Sequence, residues 1–349
     1  MTETPGMRAF VQTAVGAFED RELPVPRPGP GEVVVRVRTA LTCGTDLKLL
    51  SRGHARIELP VTMGHELCGE VVEVGEGVET EWMGARVVPG VSGPCRDCDA
   101  CRRGEENLCP QGHADRTWGA FAELARIPAS VVARNLHRVP EGLSDSAAAF
   151  LDPLASVVHG WNRLGPVAPG DRLLVYGAGA LAFLWAATAR ERGVACTVAG
   201  RRPERAPLAS SYGAEFVHLG DPSGSTREGL GDFAAAVDAT GDPAVWAALP
   251  GLVRPGGRVL LFGGCAPGAS ATFDAARLHY GEISLIGAFH SAPAEAAEAL
   301  RLLASGAVDP MPLVAETGTL SDLPRYLERQ AQGEGVRYAV RPAEAAARS

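Results

Sequence analysis

Near residue 155 the periodicity of this chain changes, and that change limits the folds open to it more than any other feature. Before it lie short β-branched runs, Val33-Val34-Val35-Arg36-Val37 and Glu70-Val71-Val72-Glu73-Val74. They sit between turn signals, Pro28-Gly29-Pro30-Gly31 and Gly75-Glu76-Gly77. Such runs predict strands joined by tight connections. After residue 155, strand-like and helical runs alternate. Arg172–Tyr176 precedes a helical run through Arg192, and Ala195–Val198 precedes another ending near Tyr212. Ala234–Val237 and Arg258–Phe262 are later strand-like runs. Strand–helix alternation predicts βαβ units around a parallel sheet. The fold class is therefore α/β: a β-rich first domain, then a doubly wound one. At about 150 residues per domain, 349 residues suit two domains. Ala294–Ser305 reads as a helix followed by a mixed tail, which the pattern alone assigns to neither domain.

Composition narrows the partners. Hydrophobic residues make up 46% and charged residues 21%, the balance of a soluble globular chain. A net charge of -8 favours neither nucleic acid nor an anionic membrane surface. The longest uncharged run, Leu173–Ala189, spans 17 residues and is broken by Gly177 and Gly179. A membrane helix needs roughly 20 apolar residues, so this run reads as a buried strand and helix. Met1–Phe10 carries Glu3 and Pro5 and no apolar core, so no secretory signal is read and the cytoplasm is expected. The Ala- and Arg-rich end, from about Pro342, is expected to fray. Of 33 basic residues only one is a lysine, Lys48.

Four of the eight cysteines are clustered: Cys95, Cys98, Cys101 and Cys109, spaced C-x2-C-x2-C-x7-C. Four thiolates on one loop, about 93–110, can close a tetrahedral shell around zinc and leave no open position, so the role is structural. The competing readings are an iron–sulfur cluster and a pair of disulfides. A second constellation is dispersed: Cys43, His65, Glu66 and Asp152. One Cys, one His and one or two carboxylates would make an open zinc site with room for a substrate oxygen. A dinucleotide signal follows the Arg172–Tyr176 run, in Gly177-Ala178-Gly179-Ala180-Leu181-Ala182. Such a loop presents backbone N–H groups and a helix N-terminus to a pyrophosphate. Ala182 takes the third small position, where close helix–strand packing is required. At the end of the next strand stand Gly200, Arg201 and Arg202, with no acid to bond a ribose 2′-hydroxyl. Two guanidinium groups there suit a 2′-phosphate, so NADP is favoured over NAD.

Taken in order, Cys43-Gly44-Thr45-Asp46, Gly64-His65-Glu66-x-x-Gly69, the cysteine quartet, Asp152-Pro153-Leu154-Ala155 and Gly177-Ala178-Gly179 resemble the zinc-dependent medium-chain dehydrogenases/reductases, the alcohol, sorbitol and threonine dehydrogenase group. The resemblance implies a GroES-like catalytic domain over 1–155, a Rossmann domain over 156–290, and a segment 291–349 returning to the first. It implies two zinc ions per chain. The catalytic one would be held by Cys43, His65 and Asp152, with Glu66 as ligand or alternate. It further implies hydride transfer between a nicotinamide dinucleotide and a secondary alcohol or ketone, with a polyol, sugar or cyclitol expected here. Thr45 matches the residue that starts a proton relay, and Lys48 stands where several members continue it with a His. A desolvated lysine there could exchange protons. Leu49, Trp118 and His290 match substrate-pocket positions, and His159 could orient a ligand. The resemblance also implies a homodimer or homotetramer acting on a small molecule. The alternatives are a zinc-independent quinone or enoyl reductase, or a non-catalytic NADP(H)-binding redox sensor.

Overall fold

The computed structural model describes residues 6–53, 57–219 and 232–342. All of the expected fraying end except Pro342 therefore lies outside the described residues. The chain divides into two compact units. One comprises Met1–Ala155, Ser291–Ala304 and Pro310–Ser349, and the other Ser156–His290 and Ser305–Asp309.

In the first unit, the β-branched Val33–Leu41 strand is the organiser. Its valines at 33, 35 and 37 are fully buried, while Arg36 and Arg38 are exposed. Alternation of this kind suits a strand with one face on a core. It pairs antiparallel with Leu67–Val74 and, over its first half, with Leu124–Ile127. On its other flank the tail strand Arg337–Arg341 aligns Ala339 with Leu41 and Val340 with Ala40. The full sheet runs Val314–Thr319, Arg337–Arg341, Val33–Leu41, Leu67–Val74, Arg86–Pro89, Leu136–Arg138. A smaller sheet joins Ala17–Pro24, Gly6–Ala14 and Val61–Thr62. Val35, Val37, Met63, Leu67, Phe121 and Ile127 form a core with Tyr326 and Tyr338 of the tail. Those two tyrosine rings stack 4.6 Å apart.

The second unit holds six parallel strands. Counted in chain order, they lie 3-2-1-4-5-6 across the sheet. That order places a topological switch point between the first and fourth strands, Arg172–Tyr176 and Phe233–Asp238. Phe233–Asp238 is buried throughout despite three alanines, as a strand covered on both faces must be. Two elements differ from their expected bounds. The helical run ending near Tyr212 is a 3-10 turn, Pro203–Arg205, then a short helix, Ala206–Ser211. Two prolines at its start delay regular helix. The strand expected from Arg258 begins at Val253, which already pairs with Phe233 ahead of an irregularity at Pro255-Gly256-Gly257. No helix among the described residues is long and apolar enough to cross a membrane.

Candidate metal centre and dinucleotide site

Strand pairing assembles the dispersed constellation. Because Leu67 pairs with Ala40 in antiparallel register, the residues before Leu67 meet those after Leu41. The Leu41 N–H donates to the Glu66 carbonyl at 3.0 Å. Cys43 then caps the helix Gly44–Arg52. One ligand atom each from Cys43, His65 and Glu66 lies within 4.8 Å of the others. Asp152, in the first turn of Leu151–Leu164, is half-buried and stands outside that set.

Two neighbours hold the trio. Asp46, fully buried, accepts from the Cys43 N–H at 2.7 Å through Oδ2. Its Oδ1 lies 3.6 Å from His65 Nδ1, beyond hydrogen-bond range but on that side of the ring. His65 Nε2 is turned to Glu66, 3.9 Å from Oε1. Arg337, buried in the tail strand, donates to Glu66 Oε1 at 3.1 Å and to the Thr42 carbonyl. Neither Asp46 nor Arg337 was assigned a role on sequence grounds. The signal for Asp46 is its place three residues after Cys43, the position that returns a carboxylate to the cap. Nothing local marks Arg337, because only the pairing of the tail strand with Val33–Leu41 brings it to Glu66, 271 residues away in sequence.

The buried charges of the site act strongly on one another. Burial pushes the Cys43 thiol up, yet the charges of Arg337 and His65 prevail and hold it well below its ordinary range. For His65, burial opposes the charge and Asp46 and Cys43 favour it, leaving it well above. Burial drives the Glu66 carboxyl well up, and its Oε2 is buried with no hydrogen-bond partner. A thiolate, an imidazole Nε2 and an orphaned carboxylate oxygen are a zinc donor set, and the ion's charge would keep all three deprotonated.

The cysteine quartet forms a second group whose sulfurs lie within 4.8 Å of one another. Sγ separations are 4.0 Å for Cys95–Cys101 and 3.9 Å for Cys98–Cys109. Four sulfurs about 2.3 Å from one zinc would be spaced by about 3.8 Å. All eight cysteines are free, which removes the disulfide reading. Backbone N–H groups of Asp97 and Cys98 point at Cys95 Sγ and pull its thiol down to about 6.

In the second unit Gly177 has φ of 125°, open to glycine alone, and Gly179 caps the helix Ala180–Glu191 with no side chain covering its N-terminus. Ala182 is fully buried against the sheet. A Cβ on Gly200 would stand 2.9 Å from that of Ala178, so the loop and the second strand end need glycine there. Arg201 and Arg202 follow Gly200 and are exposed.

The remaining expectations divide. Trp118 is half-buried and meets the His65 ring edge-on at 5.4 Å. Thr45 and Lys48 lie on the Gly44–Arg52 helix and both are exposed, so burial does not desolvate Lys48 as expected. Leu49, on the same helix, is 2% exposed. His290 adopts a left-handed φ of 63°, half-buried at the end of the second unit, and His159 is buried there.

Residues 29–141 match the alcohol dehydrogenase GroES-like domain, and residues 180–305 match the zinc-binding dehydrogenase domain. A D-altritol 5-dehydrogenase of Agrobacterium fabrum is 34% identical over 81% of this chain and 83% of its own. An acryloyl-coenzyme A reductase of Metallosphaera sedula is 30% identical over 89% and 92%. The NADP-bound structure of a protein described as a zinc-binding dehydrogenase, from Sinorhizobium meliloti 1021, superposes with a TM-score of 0.86 at 27% identity, covering 97% of this chain and 100% of that one. With these similarities beside the geometry of its two cysteine sites, the chain belongs to the zinc-type medium-chain dehydrogenases, oxidoreductases that act on CH–OH groups.

Proposed function

We propose that the chain binds two zinc ions and NADP(H) and interconverts a secondary alcohol and its ketone, on a substrate of the polyol, sugar or cyclitol kind. The convergence of Cys43, His65 and Glu66 carries this reading. Bound zinc would supply Lewis-acid polarisation of the substrate oxygen, and the nicotinamide would supply hydride transfer. Cys43, His65 and Glu66 would hold the catalytic ion, with Asp152 as the alternate carboxylate. Asp46 orients the His65 ring, and Arg337 fixes one oxygen of Glu66. The quartet Cys95, Cys98, Cys101 and Cys109 would hold the structural ion.

Thr45 and Lys48 stand three apart on one helix and so share a face. That face would carry a proton toward solvent: the Thr45 hydroxyl accepts one proton as it releases its own, and Lys48, having given a proton to solvent, receives that one as the neutral amine, an exchange an arginine cannot make readily. Lys48→Met should cut turnover and flatten its pH dependence, and unchanged kinetics would remove Lys48 from the relay. Gly177 and Gly179 would open a cradle for the pyrophosphate, and Arg201 and Arg202 would pair with a 2′-phosphate. Replacing both arginines by glutamine should lower kcat/KM for NADP more than for NAD. Assembly as a homodimer or homotetramer is part of the same reading and is read by sedimentation.

The deciding experiment follows NADPH absorbance across secondary alcohols, polyols and cyclitols, with metal content measured on the same sample. Two zincs per chain and turnover of at least one alcohol are expected. One zinc with no alcohol turnover would overturn the reading. The likeness to an acryloyl-coenzyme A reductase favours one second reading, reduction of an activated C=C bond. NADPH consumption with an enoyl thioester but with no ketone would select it.

A further inference from the structure

A buried carboxylate in the second unit has no part in the sites described above. Asp238 ends the fourth strand of the parallel sheet, beside Tyr176 at the end of the first, and is fully buried. Four donors reach it, all from the chain just beyond it. Oδ1 accepts from the Thr240 N–H at 3.0 Å and from the Thr240 hydroxyl at 2.5 Å. Oδ2 accepts from the Gly241 N–H at 2.9 Å and from the Trp246 indole N–H at 2.7 Å. Burying a carboxylate is costly unless it is hydrogen-bonded, so one satisfied in this way fixes the turn that satisfies it.

That turn lies against the ends of two other strands. The Ala239 N–H donates to the Tyr176 carbonyl at 2.8 Å, and the Gly263 N–H donates to the Asp238 carbonyl at 2.8 Å. A Cβ on Gly177 would stand 3.3 Å from that of Ala239. A Cβ on Gly241 would stand 2.3 Å from the Gly264 carbonyl oxygen, and one on Gly263 would stand 2.3 Å from the Gly241 nitrogen. Gly241 also has φ of 74°. The first, fourth and fifth strands therefore end in turns whose backbones touch, and a Cβ on Gly264 would meet no atom within 4 Å. Bare backbone of this kind lets a ligand approach closely.

A sheet of this strand order is two mononucleotide-binding halves, and a dinucleotide lies across the crevice between them. On the proposed reading, Arg201 and Arg202 give the adenosine half to the first three strands. The nicotinamide nucleoside then falls to the half that begins with the fourth strand. We infer that Asp238 is a positioning residue for the nicotinamide half of the cofactor: through Thr240, Gly241 and Trp246 it fixes the turn on which that nucleoside is seated. The inference rests on the dinucleotide reading above. Asp238→Asn keeps the shape of the side chain but turns an amide N–H₂ toward two of the four donors, so the turn loses its fixed form.

The test compares two probes on the whole chain: NADPH, followed by its own fluorescence, and adenosine 2′,5′-bisphosphate, followed by titration calorimetry. The second carries the 2′-phosphate and no nicotinamide. Asp238→Asn should weaken NADPH by about tenfold, the scale of one lost hydrogen bond to a charged group, and leave the bisphosphate unchanged. Trp246→Phe removes one donor and keeps the carboxylate, so it should move NADPH alone in the same direction by less. That variant decides the matter if Asp238→Asn does not fold. A carboxylate that only supports the fold would weaken both probes together. That result, or NADPH binding unchanged in both variants, would overturn the inference while leaving the dinucleotide reading intact. A natural protein that binds neither probe would overturn the dinucleotide reading, and the inference with it.

Discussion

Glu66 is a carboxylate buried between two demands. Arg337 holds Oε1, while Oε2 is buried with no hydrogen-bond partner and would be open to an ion held together with Cys43 and His65. Removing the guanidinium strands a buried charge, a loss of about 3–5 kcal/mol. Arg337→Met should therefore lower stability by that order at neutral pH in urea unfolding. Adding Glu66→Gln should recover part of it, and an equal loss in both backgrounds would show that the pair is uncoupled. Asp46 acts one bond further out. Partners that orient a ligating imidazole are worth about 10–100-fold in metal affinity. Asp46→Asn keeps an acceptor for the Cys43 N–H but withdraws the anion facing His65 Nδ1, so competitive zinc titration should report a loss in that range. Cys43, His65 and Glu66 were legible because their side-chain chemistry is rare in combination. Arg337 was hidden among 32 arginines, and only tertiary pairing singles it out. Lys48 shows the reverse case. Its rarity is plain in the composition, but its exposure is a property of the folded helix face that no composition reveals.

At the scale of elements, the quartet loop has little secondary structure to hold it: a four-residue helix, Asp99–Arg102, and a 3-10 turn, Glu106–Leu108. Three of its four sulfurs are only half-buried, so apolar burial contributes little. On the proposed reading, a zinc held by the four sulfurs would supply the order, as it does in small zinc modules. Cys98→Ser should reduce bound zinc from two ions to one and make residues 95–109 the first site of proteolysis, while the Cys43 site keeps its ion. Loss of both ions together would show that the loop supports the catalytic site. This loop and the Gly177–Ala182 turn were both readable from spacing, since each is a local motif within fifteen residues or fewer. The helix expected through Tyr212 was readable only in outline. Pro203 opens the 3-10 turn and Pro207 lies in the first turn of the short helix, positions proline tolerates, so the run is divided in two.

Across the whole molecule, the tail closes the first unit, and the alternation of sequence patterns could not say which unit it would join. The strand Val314–Thr319 and the helix Leu323–Gln332 precede the Arg337–Arg341 strand that delivers Arg337. A carboxylate network clasps the first two. Glu316 accepts from Arg325 at 2.7 Å, Arg329 at 2.6 Å and the Tyr326 hydroxyl at 3.2 Å. Asp322 accepts from the Thr319 N–H at 2.9 Å and from Arg325. The Arg325 bond is the main reason the Glu316 carboxyl sits below its usual range, and the Thr319 N–H is the main reason for Asp322. A depressed folded-state value means that the unfolded chain binds protons first as pH falls. The network's contribution is then present in full above the ordinary carboxylate values of about 4 and is lost as pH falls through the folded values. Both groups are partly exposed, so the contribution is screened and should shrink in high salt. The urea midpoint should drop between pH 7 and pH 3.5, and Glu316→Gln should show a shallower drop over the same interval. An identical acid profile in the two proteins would mean that the clasp does not link the tail's docking to pH, and that stacking of Tyr326 on Tyr338 holds it instead.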